Sequence, residues 1–154
     1  DLALSPLEKT LSLAQPDLRR AMRDPSLEVC CDRALIARAI GKLVENAVKF
    51  CPRGVTVTIG AALTRSGELV FLVRDTGPGM SAERLAAALQ PFKQADMSLR
   101  RSKEGLGLGL PLVGAIVSSH EGRFRLDSEP GKGTSAYIVL PASRVRAAPV
   151  AGAA

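Results

Sequence analysis

Residues 32–50, DRALIARAIGKLVENAVKF, constrain the chain more than any other stretch. Ile36, Ile40, Leu43, Ala47 and Phe50 recur at i, i+4, i+7, i+11 and i+14, the period of a helix that turns one face to a core. Asp32 is a suitable N-cap, and Pro52-Arg53-Gly54 stops the element, so the pattern predicts a helix from Asp32 to Phe50. Leu35, Ala39, Lys42, Asn46 and Lys49 run along a neighbouring line of that helix. A helix of this length needs a broad apolar surface to lie on, and the rest of the sequence offers strands.

VTVTIGAAL and ELVFLVRD are β-rich runs joined by Arg65-Ser66-Gly67, a hairpin pattern. RFRLDS and TSAYIVLP make a second pair around the turn EPGKG, and SLEVCC reads as a short strand. Two shorter helices are expected, at Ser81 to Gln90 and at Leu108 to His120, the latter stopped by Glu121-Gly122. Before the long helix, Ser5-Pro6 reads as a helix start, with Leu7, Leu11 and Ala14 at helical spacing. Asp17 to Met22 reads as a second short helical piece. Residues 91–106 are polar and without period, a loop pattern. The order of elements predicts an α+β fold, a two-layer α/β sandwich with a mixed sheet covered on one face by helices. Residues 1–141 are expected to form one domain, and residues 142–154, ASRVRAAPVAGAA, a disordered tail.

With 154 residues the chain is long enough for one domain with a real core. Its net charge of +6 invites nucleic acid as a partner, but aromatic residues are 3% of the chain, too few to stack on bases, so none is expected. Three cysteines without a CxxC pair and a single histidine, His120, do not make a zinc site, and the cysteines read as reduced thiols. The apolar run Leu106 to Val117 is too short and too glycine-rich to cross a bilayer. A chain opening on Asp1 reads as a fragment, expected to be cytoplasmic and tied to a membrane only through missing N-terminal regions.

Several segments exceed what scaffolding requires. Asn46 and Lys49, three residues apart on the long helix, can offer an amide oxygen to a cation and an ammonium to a phosphate, or be ordinary surface residues. Asp75 ends an apolar strand and is followed by Thr76-Gly77-Pro78-Gly79. That carboxylate either caps a turn or accepts a hydrogen bond from a ligand amino group, with Gly77 and Gly79 letting backbone approach. Gly105, Gly107 and Gly109 open a helix, as a phosphate cradle or as a hinge. The spacing matches neither the dinucleotide GxGxxG nor the P-loop, since Gly133 follows Lys132 where the latter needs Ser or Thr. Gly131-Lys132-Gly133-Thr134 reads as a glycine turn entering a strand.

Together and in this order, over residues 27–141, these segments resemble the ATP-binding catalytic domain of sensor histidine kinases, the Bergerat-type fold shared with gyrase-like ATPases. KLVENAVKF is similar to the N box, DTGPGM to the first G box, PFKQAD to the F box, GLGLGL to the second G box, and GKGTSAYIVLP to the third. The resemblance implies ATP and Mg²⁺ as cofactors, with Asn46 as the metal ligand and Lys49 on the phosphates. It implies that Asp75 accepts from the adenine amino group, that Gly77 and Gly79 shape the adenine pocket, and that Thr134 lies in the nucleotide site. Gly105, Leu106, Gly107, Leu108 and Gly109 would present backbone to the triphosphate, and residues 93–104 would be a lid. Phe92 would anchor that lid, and Arg100, Arg101 and Lys103 are its candidate phosphate contacts. His120 matches a structural HGG turn, with Glu121 in place of its first glycine.

The family carries its phosphoaccepting histidine on a separate dimerisation domain, so no residue of this chain is assigned as catalytic. The implied partners are that dimerisation domain and a response regulator or another kinase. The implied activity is donation of the ATP γ-phosphate to a side chain of the dimerisation domain. Lys42 departs from the pattern. Histidine kinases carry Asn there, assisting Mg²⁺, and gyrase-like ATPases carry Glu, the general base for water. A protonated lysine can do neither, which argues against hydrolysis in cis and leaves a second reading open, a degenerate kinase domain acting as a signalling scaffold. The alanine- and arginine-rich composition, with this divergence, resembles alphaproteobacterial cell-cycle kinases of the DivL type.

Overall fold

The computed structural model describes residues 17–22, 27–50, 54–90 and 109–147. A five-stranded sheet is built from β1 (Asp17–Met22), β3 (Thr56–Leu63), β4 (Leu69–Asp75), β5 (Arg123–Glu129) and β6 (Gly133–Leu140), in the order β1-β3-β4-β6-β5. β1 runs parallel to β3 and every other pairing is antiparallel, so the sheet is mixed as expected. A second, two-stranded sheet joins β2 (Leu27–Val29) to β7 (Val145–Ala147). The helices are α1 (Arg33–Phe50), α2 (Ala82–Ala88) and α3 (Gly109–Ser119).

One sheet face is apolar because inward positions alternate with outward ones along each strand. Val57 of β3, Leu69 and Val73 of β4, and Ala136, Ile138 and Leu140 of β6 are buried there, with Ile59, Phe71, Phe124 and Leu126 packed around them. α1 and α3 cover this face with Ile36, Ala39, Leu43, Val44, Ala47, Val48, Val113, Ile116 and Val117. α1 buries more than one stripe because it meets both the sheet and α3.

The two long helices are tied end to end by His120. Asp32 caps α1 by accepting from the Leu35 N–H (3.0 Å), while its own N–H donates to His120 Nε2 (3.0 Å). An acceptor Nε2 places the ring proton on Nδ1, which donates to the Ile116 carbonyl (2.8 Å). The lone histidine is therefore a buried, fully satisfied staple, consistent with the structural role that the resemblance implies. Glu121 takes the left-handed conformation (φ 57°), and its carboxylate accepts from Arg144 Nη2 (3.0 Å). Arg144 also donates Nη1 to the Cys30 carbonyl (3.1 Å), clasping the small sheet to this turn.

Three expectations change. Asp17–Met22 is a strand, paired residue by residue with Thr56–Ala61, because a six-residue segment has too little helical cooperativity to resist a sheet edge. Phe50, placed on the core stripe, is 63% exposed at the end of α1, where the helix has passed the sheet. The tail expected from Ala142 is ordered over residues 142–147: Ala142–Arg144 forms a 3-10 turn and Val145–Ala147 pairs with Leu27–Val29. Cys30 and Cys31 are free thiols, and burial pushes the Cys31 thiol above its ordinary value, with Cys30 beside it adding to the shift. The helix expected from Ser5, the whole of residues 91–108 and Cys51 lie outside the described residues.

Candidate functional site

The register of the sheet puts Val57, Asp75, Thr134 and Ser128 in one row at the end of the inward face. On β3, β4, β5 and β6 every inward position deeper in the sheet is apolar, so this row is where the face turns polar. Asp75 is buried, at 8% exposure. Its Oδ1 accepts from the Gly77 N–H (2.8 Å) and the Thr134 N–H (3.3 Å). Among the described residues Oδ2 receives no hydrogen bond, so one charged acceptor is held rigidly by its sister oxygen and left available. Thr76 fixes the chain just beyond: its N–H donates to the Thr56 carbonyl (3.1 Å), and its Oγ1 accepts from the Thr56 N–H (3.1 Å).

Two glycines let the surrounding turns close on Asp75. A Cβ on Gly133 would sit on the Asp75 carbonyl, and one on Gly79 would sit on the Glu129 carbonyl. Both residues also have positive φ (83° and 66°), which a side chain disfavours. Further bonds hold the first turn to the β5–β6 turn: Gly131 N–H to the Pro78 carbonyl (2.7 Å) and Met80 N–H to Ser128 Oγ (2.9 Å). Ser128 Oγ also lies 2.9 Å from Thr134 Oγ1. Gly133, Ser128 and Thr76 were not among the expected site residues. Ser128 had a signal, as the polar member of an alternating face that also carries Phe124 and Leu126. Gly133 had its signal in the GKG of the segment similar to the third G box, though read by itself it was an ordinary turn glycine.

The other half of the site is on α1. The Asn46 amide lies against the first residue of α3, with Nδ2 and Oδ1 3.5 and 3.8 Å from where a Cβ on Gly109 would be. A Cβ there would meet Asn46 only in ordinary contact, so Asn46 lies beside the helix N-terminus, whose first-turn N–H groups and dipole favour anions. Lys42 lies one turn before Asn46 and places its Nζ 2.6 Å from Glu45 Oε2, with side chains 37% and 41% exposed. Lys49 is exposed, and its Nζ stands 5.3 Å from the centre of the Phe50 ring. The structure therefore assembles Asn46 with Gly109, and separately Asp75 with Gly77, Gly79 and Thr134. Phe92, Arg100, Arg101, Lys103, Gly105, Leu106, Gly107 and Leu108 lie outside the described residues.

The mixed, helix-backed sheet thus ends in a buried carboxylate beside glycine turns, and on α1 an asparagine lies against the first residue of α3. The chain belongs to the histidine kinase-, DNA gyrase B- and HSP90-like ATPase family, whose model matches residues 31–144. Among its relatives are the cell-division control histidine kinases PdhS of Brucella ovis and Brucella abortus, each 34% identical over 90% of this chain. The chain spans 15% of the length of those relatives. Among solved structures, the mycobacterial sensor histidine kinase MprB is 26% identical, with a TM-score of 0.73 and 91% of each chain covered. The crystal structure of full-length ShkA in complex with AMPPNP shares the fold, with a TM-score of 0.75 and 23% identity over 90% of this chain and 28% of that one.

Proposed function

We propose that this domain binds ATP as the phosphoryl-donating unit of a sensor histidine kinase, passing the γ-phosphate to a side chain on a separate dimerisation domain and thence to a response regulator. The observation that carries the proposal is the Asp75 carboxylate, with Oδ1 saturated by backbone and Oδ2 free among the described residues. An acceptor so held selects a ligand that donates there, and an exocyclic amino group on adenine is such a donor. Gly77, Gly79 and Thr134 frame the base. Asn46, Gly109 and the first turn of α3 receive the phosphates, and Lys49 adds positive charge at the rim. Binding and positioning are this chain's contribution, and phosphoryl transfer depends largely on those.

The described residues do not make a protein-held Mg²⁺ site. Mg²⁺ is ordinarily held by one or two carboxylates together with substrate phosphates. Here Asn46 supplies one neutral amide, and no cluster of three His, Cys, Asp or Glu side chains occurs among the described residues. The Lys42 ammonium, one turn before Asn46, repels a divalent ion held there, an effect that its pairing with Glu45 partly offsets. The role of metal ligand that the resemblance implies for Asn46 rests on that single oxygen.

The same lysine favours a second reading, a domain that holds nucleotide and acts as a signalling scaffold without transferring phosphate. A phosphotransfer assay separates the two. The domain is mixed with γ-labelled ATP and a histidine-bearing dimerisation domain from a relative such as PdhS. Label on the dimerisation domain, lost in Asp75→Asn, supports the donor reading. ATP binding without transfer supports the scaffold, and no ATP binding removes both. No helix among the described residues is long and apolar enough to cross a membrane, and the domain is proposed to work in the cytoplasm.

A further inference from the structure

The polar line of α1 carries its charges in an order that the proposed phosphate pocket does not explain. On an ideal helix, at 100° and 1.5 Å per residue, Lys42 and Lys49 point within about 20° of each other and stand about 10 Å apart along the axis, with Asn46 between them. Two ammoniums thus bracket the one amide that lies against the N-terminus of α3. The only carboxylate on α1 is Glu45, about 60° around the helix from Lys42 and on the side away from Asn46, and it is bound to Lys42 at 2.6 Å. An oxyanion is already seated on Lys42, supplied by the protein itself.

We propose that Lys42 is a phosphate-binding residue for which Glu45 is the built-in competitor, so that nucleotide displaces Glu45 and binds with little dependence on Mg²⁺. The proposal rests on the nucleotide reading above. The exchange is plausible in energy because the Lys42–Glu45 pair is part-exposed, with both side chains more than a third open to solvent, and such pairs are weakly held. A triphosphate is the stronger competitor: it carries more charge than one carboxylate, and it reaches Lys42, Asn46, Lys49 and the α3 N–H groups together. Lys42 then neutralises phosphate charge that a metal would otherwise neutralise. Glu45 sets the threshold, since an anion too weakly charged to displace it gains nothing from Lys42.

Titration with a fluorescent ATP analogue, in EDTA and then in excess Mg²⁺, tests this on the wild type, Lys42→Gln and Glu45→Gln. Both positions are part-exposed, and unchanged circular dichroism confirms that the variants fold. The wild-type dissociation constant is expected to differ by less than about threefold between the two conditions. Lys42→Gln should weaken binding in EDTA about tenfold and recover much of the loss in Mg²⁺, a loss equivalent to one ion-pairing contact. Glu45→Gln should tighten binding in EDTA about threefold. Wild-type binding only in Mg²⁺, or an EDTA affinity untouched by Lys42→Gln, overturns this proposal and leaves the nucleotide reading standing. Absence of wild-type binding in both conditions overturns the two together.

Discussion

The two halves of the candidate site are built on opposite plans. At the Asp75 end, every part is backbone-fixed: Oδ1 takes two N–H groups, Thr76 locks to Thr56, and Gly79 and Gly133 exist so that carbonyls can approach. Along α1, Lys42, Glu45 and Lys49 are part-exposed or exposed side chains on a helix whose stability comes from its other face. The rigid half can discriminate between ligands by leaving a buried charge unpaired when the wrong group arrives. The soft half can change its charge without cost to the fold, and it is there that Lys42 departs from the family pattern.

Substitutions should expose this asymmetry. The largest effect is expected from Gly133→Ala, which puts a methyl on the Asp75 carbonyl at a positive φ. A loss of about 3 kcal/mol is expected from such overpacking and strain, seen as a drop of roughly 10 °C in the midpoint of thermal unfolding. An unchanged midpoint would mean that the turn is not pinned to Asp75. His120→Ala comes next: it empties a buried position and removes the acceptor of the part-buried Asp32 N–H, for about 2 kcal/mol in denaturant unfolding. Its ATP affinity should nonetheless stay within about twofold of wild type, because the staple lies outside the site. The smallest effect should come from Lys49→Gln, with stability changed by less than about 0.5 kcal/mol, as for an ordinary surface position. A Lys49→Gln variant as unstable as Gly133→Ala would erase the contrast between the two halves.

Much of this arrangement could be read from residues alone, and the misreadings share a cause. The core face of α1 follows from a period that holds from Ile36 to Ala47, about three turns, and Asp32 does cap the helix as expected. The strands of the central sheet follow from alternation between glycine-rich turns. Asp17–Met22 failed because its strand state comes from pairing with Thr56–Ala61, a contact no local pattern encodes. Phe50 failed because helical period says which face a residue shares but not where the covering sheet ends. Gly133 was legible as part of the third G box, but not its reason, the Asp75 carbonyl lying where its side chain would be. The motif positions were legible one by one; the rigidity of one half and the occupied lysine of the other became visible only when they were brought together.

The central claim is that Asp75 Oδ2 recognises an amino group on the base. The measurement that addresses it most directly is a calorimetric cycle pairing Asp75→Asn with removal of that group from the ligand. ATP and purine riboside triphosphate, which lacks the 6-amino group, are each titrated into wild type and Asp75→Asn. The wild type should prefer ATP by at least tenfold, about 1.4 kcal/mol. Asp75→Asn should bind the two ligands within about twofold, because its amide oxygen stays on the Gly77 and Thr134 N–H groups and its NH2, a donor, replaces Oδ2. An ATP preference that persists undiminished in Asp75→Asn would contradict the claim and place recognition of the base on some other group.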